Sequence, residues 1–170
     1  MREQTKAVRR NAFLYCKFRN EQFALYDAFA KSHGVTMNTL LVVNALFYAA
    51  DGLTQSEICA TVHHSKQTVS LIVKRLVAEG RAELATSEAD GRAKVVRLTE
   101  DGRAWAEYPV RHITLAEDNA MAMLSPEEQE MLVSLSRAFT ESLKALVHGD
   151  EDAGREETGH GGKDAGDASV

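Results

Sequence analysis

Gln67, Ser70, Leu71, Lys74 and Ala78 fall on one side of a helix when SKQTVSLIVKRLVAEG (65–80) is wound at helical spacing. Their chemistry is mixed. The Gln67 amide can pair with an adenine edge, Ser70 can bond a base or a phosphate, Leu71 can meet a thymine methyl, and Lys74 can reach guanine or phosphate. Such a face is too apolar for a solvated surface and too polar for a core, but it suits dehydration in the major groove of DNA. Thr68 and Arg75 flank it, placed for backbone phosphates, which set register rather than sequence. The opposite stripe, Val69, Ile72, Val73, Leu76 and Val77, follows i, i+3, i+4, i+7, i+8 and predicts a face lying on a core.

Catalytic patterns are missing. The chain has no GxSxG, no HExxH, no phosphate loop and no Rossmann fingerprint, and GHGG at 159–162 lies in a tail unable to hold an oxyanion loop. The reading is therefore a non-enzyme with no cofactor. Cys16 and Cys59 form no CxxC pair, the histidines show no i, i+4 spacing, and no metal site is expected.

Several elements must position the groove-facing helix. A first helix is expected over about 5–32, ended by His33-Gly34, and a second runs from a Thr36 cap to Ala50. TQSE supplies a capping box for a short helix of about 54–61, His63-His64 make a turn beside the DNA-facing helix where they could touch phosphates, Ser65 caps that helix, and Gly80 ends it. RAELAT (81–86) and AKVVRL (93–98) have strand character around an Asp-Gly pair, which reads as a hairpin. Thr99 caps a helix that should bend or break near Pro109, and SPEE (125–128) opens a last helix with Leu132, Leu135, Phe139, Leu143 and Leu146 close to a heptad seam.

Charge is distributed to match. The net −5 is carried by the tail from Gly149, with seven acids against Arg155 and Lys163, so residues 1–148 are neutral. Within them Ser65–Arg97 holds Lys66, Lys74, Arg75, Arg81, Arg92, Lys94 and Arg97 against four acids, and residues 1–20 hold six bases against one acid. Local positive patches on a neutral body are compatible with a polyanionic partner. The tail, with six of the eleven glycines and no aromatic residue, is expected to be disordered. No signal peptide or transmembrane run is present, so a cytoplasmic location with no membrane partner is the expectation.

Helix, turn, helix and a basic hairpin make a winged helix-turn-helix, and the residues that carry it resemble the MarR family of bacterial and archaeal transcriptional regulators. LTQSE, SKQTVS, RLVAEG and DGRAKVVRLTEDG, between Leu53 and Gly102, carry the likeness over about 50 residues. The wing is its most specific part, with Asp90, Arg92, Leu98-Thr99 and Gly102 at fixed spacings. The resemblance implies a major-groove face of Ser65, Gln67, Thr68, Ser70, Leu71 and Lys74, with Arg92 at the wing tip reaching the minor groove or its phosphates and Asp90 holding the guanidinium. Relatives often have a basic residue where this chain has Leu71, and His63-His64 replaces a more usual small apolar turn. Lys66, Arg75 and Lys94 complete the expected contact set with double-stranded DNA.

The family resemblance also implies a homodimer built from the first and last helices, acting most simply as a repressor released from a palindromic operator by a small aromatic or amphipathic effector. Tyr26, Phe29, Phe47 and Trp105 are the candidate lining of an effector cleft, though each reads more readily as core. Cys16 is the candidate redox handle, though a thiol on an apolar stripe is commonly inert packing. The expected organisation is thus mainly α with a β-hairpin wing: 1–35 for dimerisation, 36–100 for DNA, 101–148 again for dimerisation, and 149–170 a disordered acidic tail. Two alternatives stay open, a winged helix that binds protein instead of DNA, and a cysteine-based redox regulator.

Overall fold

The computed structural model describes residues 5–86 and 94–157. Six helices and one hairpin follow in the order α1 (Lys6–Ser32), α2 (Met37–Tyr48), α3 (Gln55–Val62), α4 (Lys66–Ala78), β1 (Ala82–Thr86), β2 (Lys94–Leu98), α5 (Glu100–Ala122) and α6 (Pro126–Glu157). The chain is mainly α with a two-stranded antiparallel wing, as the pattern predicts.

The helix starts are set locally. Thr5, Thr36, Thr54 and Ser65 each hold an extended backbone and accept a hydrogen bond from the N–H three residues on, which satisfies a donor that the first turn leaves without an intrahelical partner. At Thr54 the box closes reciprocally, because Glu57 Oε2 accepts the Thr54 N–H at 2.7 Å. Ser125 and Glu128 do the same for α6, with Ser125 N–H to Glu128 Oε2 at 2.8 Å. Gly34 and Gly80, at φ +73° and +71°, turn the chain after α1 and α4 in the left-handed region where a Cβ is costly.

The two compact units are residues 1–116 and 117–170. In the first, one core joins Val42, Val43, Leu46 and Phe47 of α2 to Ile58 of α3, to Val69, Val73 and Leu76 of α4, to Ala82 and to Val96 and Leu98 of the wing, and to Ala106 and Val110 of α5. Burying a Val, Leu or Ile contributes roughly 1.5–3 kcal/mol, so these side chains hold α4 against the remainder. The wing is in register Ala82↔Leu98, Leu84↔Val96 and Thr86↔Lys94, and Leu53 adds a bridge to Val96 with mutual backbone bonds of 2.9 and 2.7 Å.

Three expectations are revised. The second helix ends at Tyr48 rather than Ala50, with Ala49 extended as its cap. Of the bend or break expected at Pro109, the break is absent, and α5 passes through it as one element. Proline in a helix interior forfeits a backbone bond, but the Pro109 ring is buried beside Val110, and that burial offsets part of the loss. α6 continues to Glu157, beyond Gly149 where composition predicts the tail to begin, because a helix once started gains one backbone bond per added residue. The rest of that tail, 158–170, lies outside the described residues.

Candidate nucleic-acid interface

α4 has two unlike sides. Val69, Val73 and Leu76 are buried, and Ile72 is half-buried against the same core, but Val77 is 38% exposed, so the buried stripe is narrower than the periodicity predicts. On the other side Gln67, Leu71, Lys74 and Ala78 are exposed, Leu71 to 69%, and Ser70 is half-buried. The protein's own fold leaves that side uncovered. A leucine so exposed between polar groups keeps an unmatched hydration cost, which contact with an apolar base edge would remove.

The first turn of α4 is organised by its cap. Ser65 Oγ accepts the Thr68 N–H at 3.2 Å and lies 2.9 Å from Thr68 Oγ1, so both hydroxyls are engaged with one another as well as near the surface. Of the turn before it, His63 sits in the left-handed region at φ 53° and is exposed, whereas the Nε2 of His64 is buried with no hydrogen-bond partner among the described residues. His63 is thus the more exposed of the two.

The basic residues divide into two groups. Arg75 is paired with Glu79 at 2.8 Å, Arg81 with the same carboxylate group at 3.0 Å, and Arg97 with Glu83 across the hairpin at 2.8 Å. The hydrogen bond from Arg75, with the charge of Arg81 nearby, holds the Glu79 carboxyl below the ordinary carboxylate range. Lys66, Lys74 and Lys94 are exposed and form no ion pair among the described residues. Three of the cations counted from sequence thus have a carboxylate partner within the chain, whereas the three lysines have none among the described residues. Spacing along one strand cannot reveal this division, because Glu83 and Arg97 meet only through the hairpin register. Lys94 opens β2 opposite Thr86; Asp90 and Arg92 lie outside the described residues.

The aromatic residues expected to line an effector cleft are dispersed. Phe47 is 7% exposed in the core, with the Arg103 guanidinium 5.1 Å from its ring centroid, and Trp105 packs against that core beneath Arg81. Tyr26 and Phe29 are half-buried on α1. Phe29 joins a cluster with His33, Tyr108 and His112, ring centroids 4.4 to 5.6 Å apart, next to an open depression of about 560 Å³ lined by Glu107, Tyr108, Arg111 and His112. None of the four expected residues lines that depression. Cys16 and Cys59 are free thiols, each half-buried. Among the described residues no group of three or more His, Cys, Asp or Glu is placed to hold a metal ion, and no helix is long and apolar enough to cross a membrane.

Comparison with known proteins places this geometry. Residues 33–93 match the sequence model of the MarR family. No curated protein sequence matches the chain. Among solved structures, AbsC, a MarR-family transcriptional regulator from Streptomyces coelicolor, is 18% identical, with a TM-score of 0.71 over 85% of this chain and 99% of that one. A MarR-family regulator from Neisseria meningitidis is 22% identical with a TM-score of 0.70 over 82% and 98% of the two chains. The S. aureus MepR–DNA complex is similar at 22% identity and a TM-score of 0.63, over 83% and 99%. All three are named as regulators.

Proposed function

We propose that the chain, whose residues 33–93 match the MarR family model, is a cytoplasmic, homodimeric, sequence-specific DNA-binding regulator, a repressor released from operator DNA by a small effector. The observation that carries it is the uncovered side of α4, where Gln67, Leu71 and Lys74 stand exposed while Val69, Val73 and Leu76 behind them are locked in the core. Rigid anchoring on one side and a mixed polar and apolar surface on the other are what base reading requires. MepR, which shares the fold, is known in complex with DNA. Ser65, Gln67, Ser70, Leu71 and Lys74 then read or bracket the major groove. Lys66, Thr68, Arg75 and Lys94 meet phosphates, and Arg92, held by Asp90, extends the contact at the wing tip.

A dimer is supported by apolar surface that neither unit covers by itself. α1 exposes Phe13, Phe18 and Phe23, and α6 exposes Leu132, Leu135, Leu143 and Leu146. Such surface, continued over several helical turns, marks an association site. A two-fold dimer would present its α4 helices one DNA turn apart, about 34 Å, so the operator is an imperfect palindrome. Selection of bound duplexes from a random pool tests the whole reading: an enriched inverted repeat with half-sites one turn apart supports it, and a pool that stays random overturns it. Replacing Arg92 by Ala should weaken binding to all duplexes by a similar factor.

A further inference from the structure

Arg81 is one of the bases that make the region from Ser65 to Arg97 positive, yet its surroundings differ from those of the three lysines. Its side chain is only 33% exposed, its guanidinium carbon stands 3.9 Å above the centroid of the Trp105 ring, and Nη1 lies 3.0 Å from Glu79 Oε2. Glu79 is the residue that caps α4, and its other oxygen takes the Arg75 Nε–H at 2.8 Å. One continuous set of contacts thus runs from the last turn of α4, through its cap, to the second turn of α5. A guanidinium can do this because its planar face stacks on an indole while its edge still donates to a carboxylate; an ammonium cannot do both.

The backbone beneath repeats the connection. The Arg81 N–H donates to Leu76 O at 2.9 Å, and the Arg81 carbonyl accepts the Thr99 N–H at 3.1 Å. Thr99 Oγ1 donates to Gly80 O at 2.7 Å, and Gly102 abuts the same Arg81 carbonyl, leaving no room for a side chain. The exit of α4 and the entry of α5 are therefore one joint, whose backbone and the Thr99 hydroxyl set their approach and which the Arg81 side chain braces further between Glu79 and Trp105.

We propose that Arg81 is a positioning residue for DNA binding, which fixes the attitude of α4 on α5 through Glu79 and Trp105 and does not itself neutralise a phosphate. This rests on the DNA-binding reading above. Loosening the brace lets α4 populate attitudes that cannot enter the groove, and the apparent dissociation constant rises as the competent fraction falls. Three- to tenfold, roughly, is the loss expected from a brace of this kind. The number of phosphates neutralised by the competent state stays the same, so the slope of log affinity against log salt stays the same too.

The test uses the full chain and a fluorescent duplex carrying the sequence that the wild-type chain enriches from a random pool. Affinity is measured across a salt series for the wild type, Arg81→Gln, Trp105→Leu and the double variant, with helical content confirming folding and binding expressed per folded chain. Expected are similar losses for both single variants, no further loss in the double, and an unchanged salt slope. If Trp105→Leu fails to fold, Glu79→Gln takes its place, since it removes the carboxylate that holds the guanidinium edge. A slope reduced by about one in Arg81→Gln would make Arg81 a phosphate contact and overturn the proposal. So would wild-type affinity in Arg81→Gln, or a double variant whose loss is the product of the single ones. A merely structural Arg81 would lower thermal stability and leave the affinity of folded protein alone, which also overturns it. A wild-type chain that enriches no duplex removes the DNA-binding reading itself, and the inference with it, and is thereby distinguished from failure at Arg81 alone.

Discussion

Replacing Gly102 with Ala should destabilise the protein even though alanine is the better helix former. Gly102 lies in the first turn of α5 with its N–H bonded to Thr99 Oγ1 at 3.0 Å, and a Cβ built on it falls 1.8 Å from the Arg81 carbonyl oxygen and 2.6 Å from its carbon. Both are backbone atoms, so no side chain can turn aside. Ordinary contact begins at 3.4 Å, which means that the start of α5 must retreat by about 1.5 Å. That retreat breaks the bonds from Thr99 N–H to Arg81 O and from Thr99 Oγ1 to Gly80 O, each worth about 1 kcal/mol net, and loosens the Arg81–Trp105 stack, worth about 1 kcal/mol more. It also disturbs Ala106, which is fully buried one turn further on. Against this stands a helix-propensity gain of at most about 1 kcal/mol. The balance is a loss of roughly 2–4 kcal/mol, or about 5–15 °C in melting temperature for a chain of this size. Thermal unfolding followed by circular dichroism reads it, with Gly34→Ala as the comparison: nothing lies within 4 Å of that Cβ, and only the strain of φ +73°, about 1 kcal/mol, opposes it. A G102A protein that melts at or above the wild-type temperature would refute the close-approach argument.

Other expectations follow from the same coordinates. Leu76→Ala, at a fully buried position on the back of α4, should cost about 2–5 kcal/mol, read as a lowered urea midpoint with an unchanged slope. Ser65→Ala removes the cap of α4 and should cost about 1 kcal/mol by the same measurement. Glu57 is held below the ordinary carboxylate range by hydrogen bonds from the Thr54 backbone and hydroxyl, so its contribution is present at neutral pH and is lost as pH falls through the depressed value. The stability difference between wild type and Glu57→Gln should accordingly shrink in acid, and a difference that is constant from neutral to acid pH would contradict that origin. Lys74→Ala should lower the salt slope of DNA binding by about one, whereas Leu71→Ala should change the bases enriched from a random pool more than the slope.

Much of this was local and therefore legible. A cap acts within one turn, so Thr36, Thr54, Ser65 and Ser125 announced their helices from residue type alone, and the box at Thr54 and Glu57 formed as its spacing required. Turn chemistry at Gly34 and Gly80 and the strand character of the two runs that pair as the hairpin are local in the same sense. The core stripe of α4 could be read from period, though not its width, since whether Val77 is covered depends on how far its neighbours reach.

Long-range facts had no such signal. Pro109 reads in one dimension as a place to bend or break, whereas in the fold it is buried and α5 runs through it. The arginines of the basic stretch look alike in one dimension, but Glu83 reaches Arg97 through hairpin pairing, and Trp105 meets Arg81 because Gly102 lets two backbones touch. The sequence by itself determined the elements, their ends and the two faces of α4, because helix and turn energies are summed over neighbours a few residues apart. Which cations are free, which aromatic residues are core and what braces α4 were decided by tertiary structure, because charge pairing and packing depend on distances that the chain closes only when it folds.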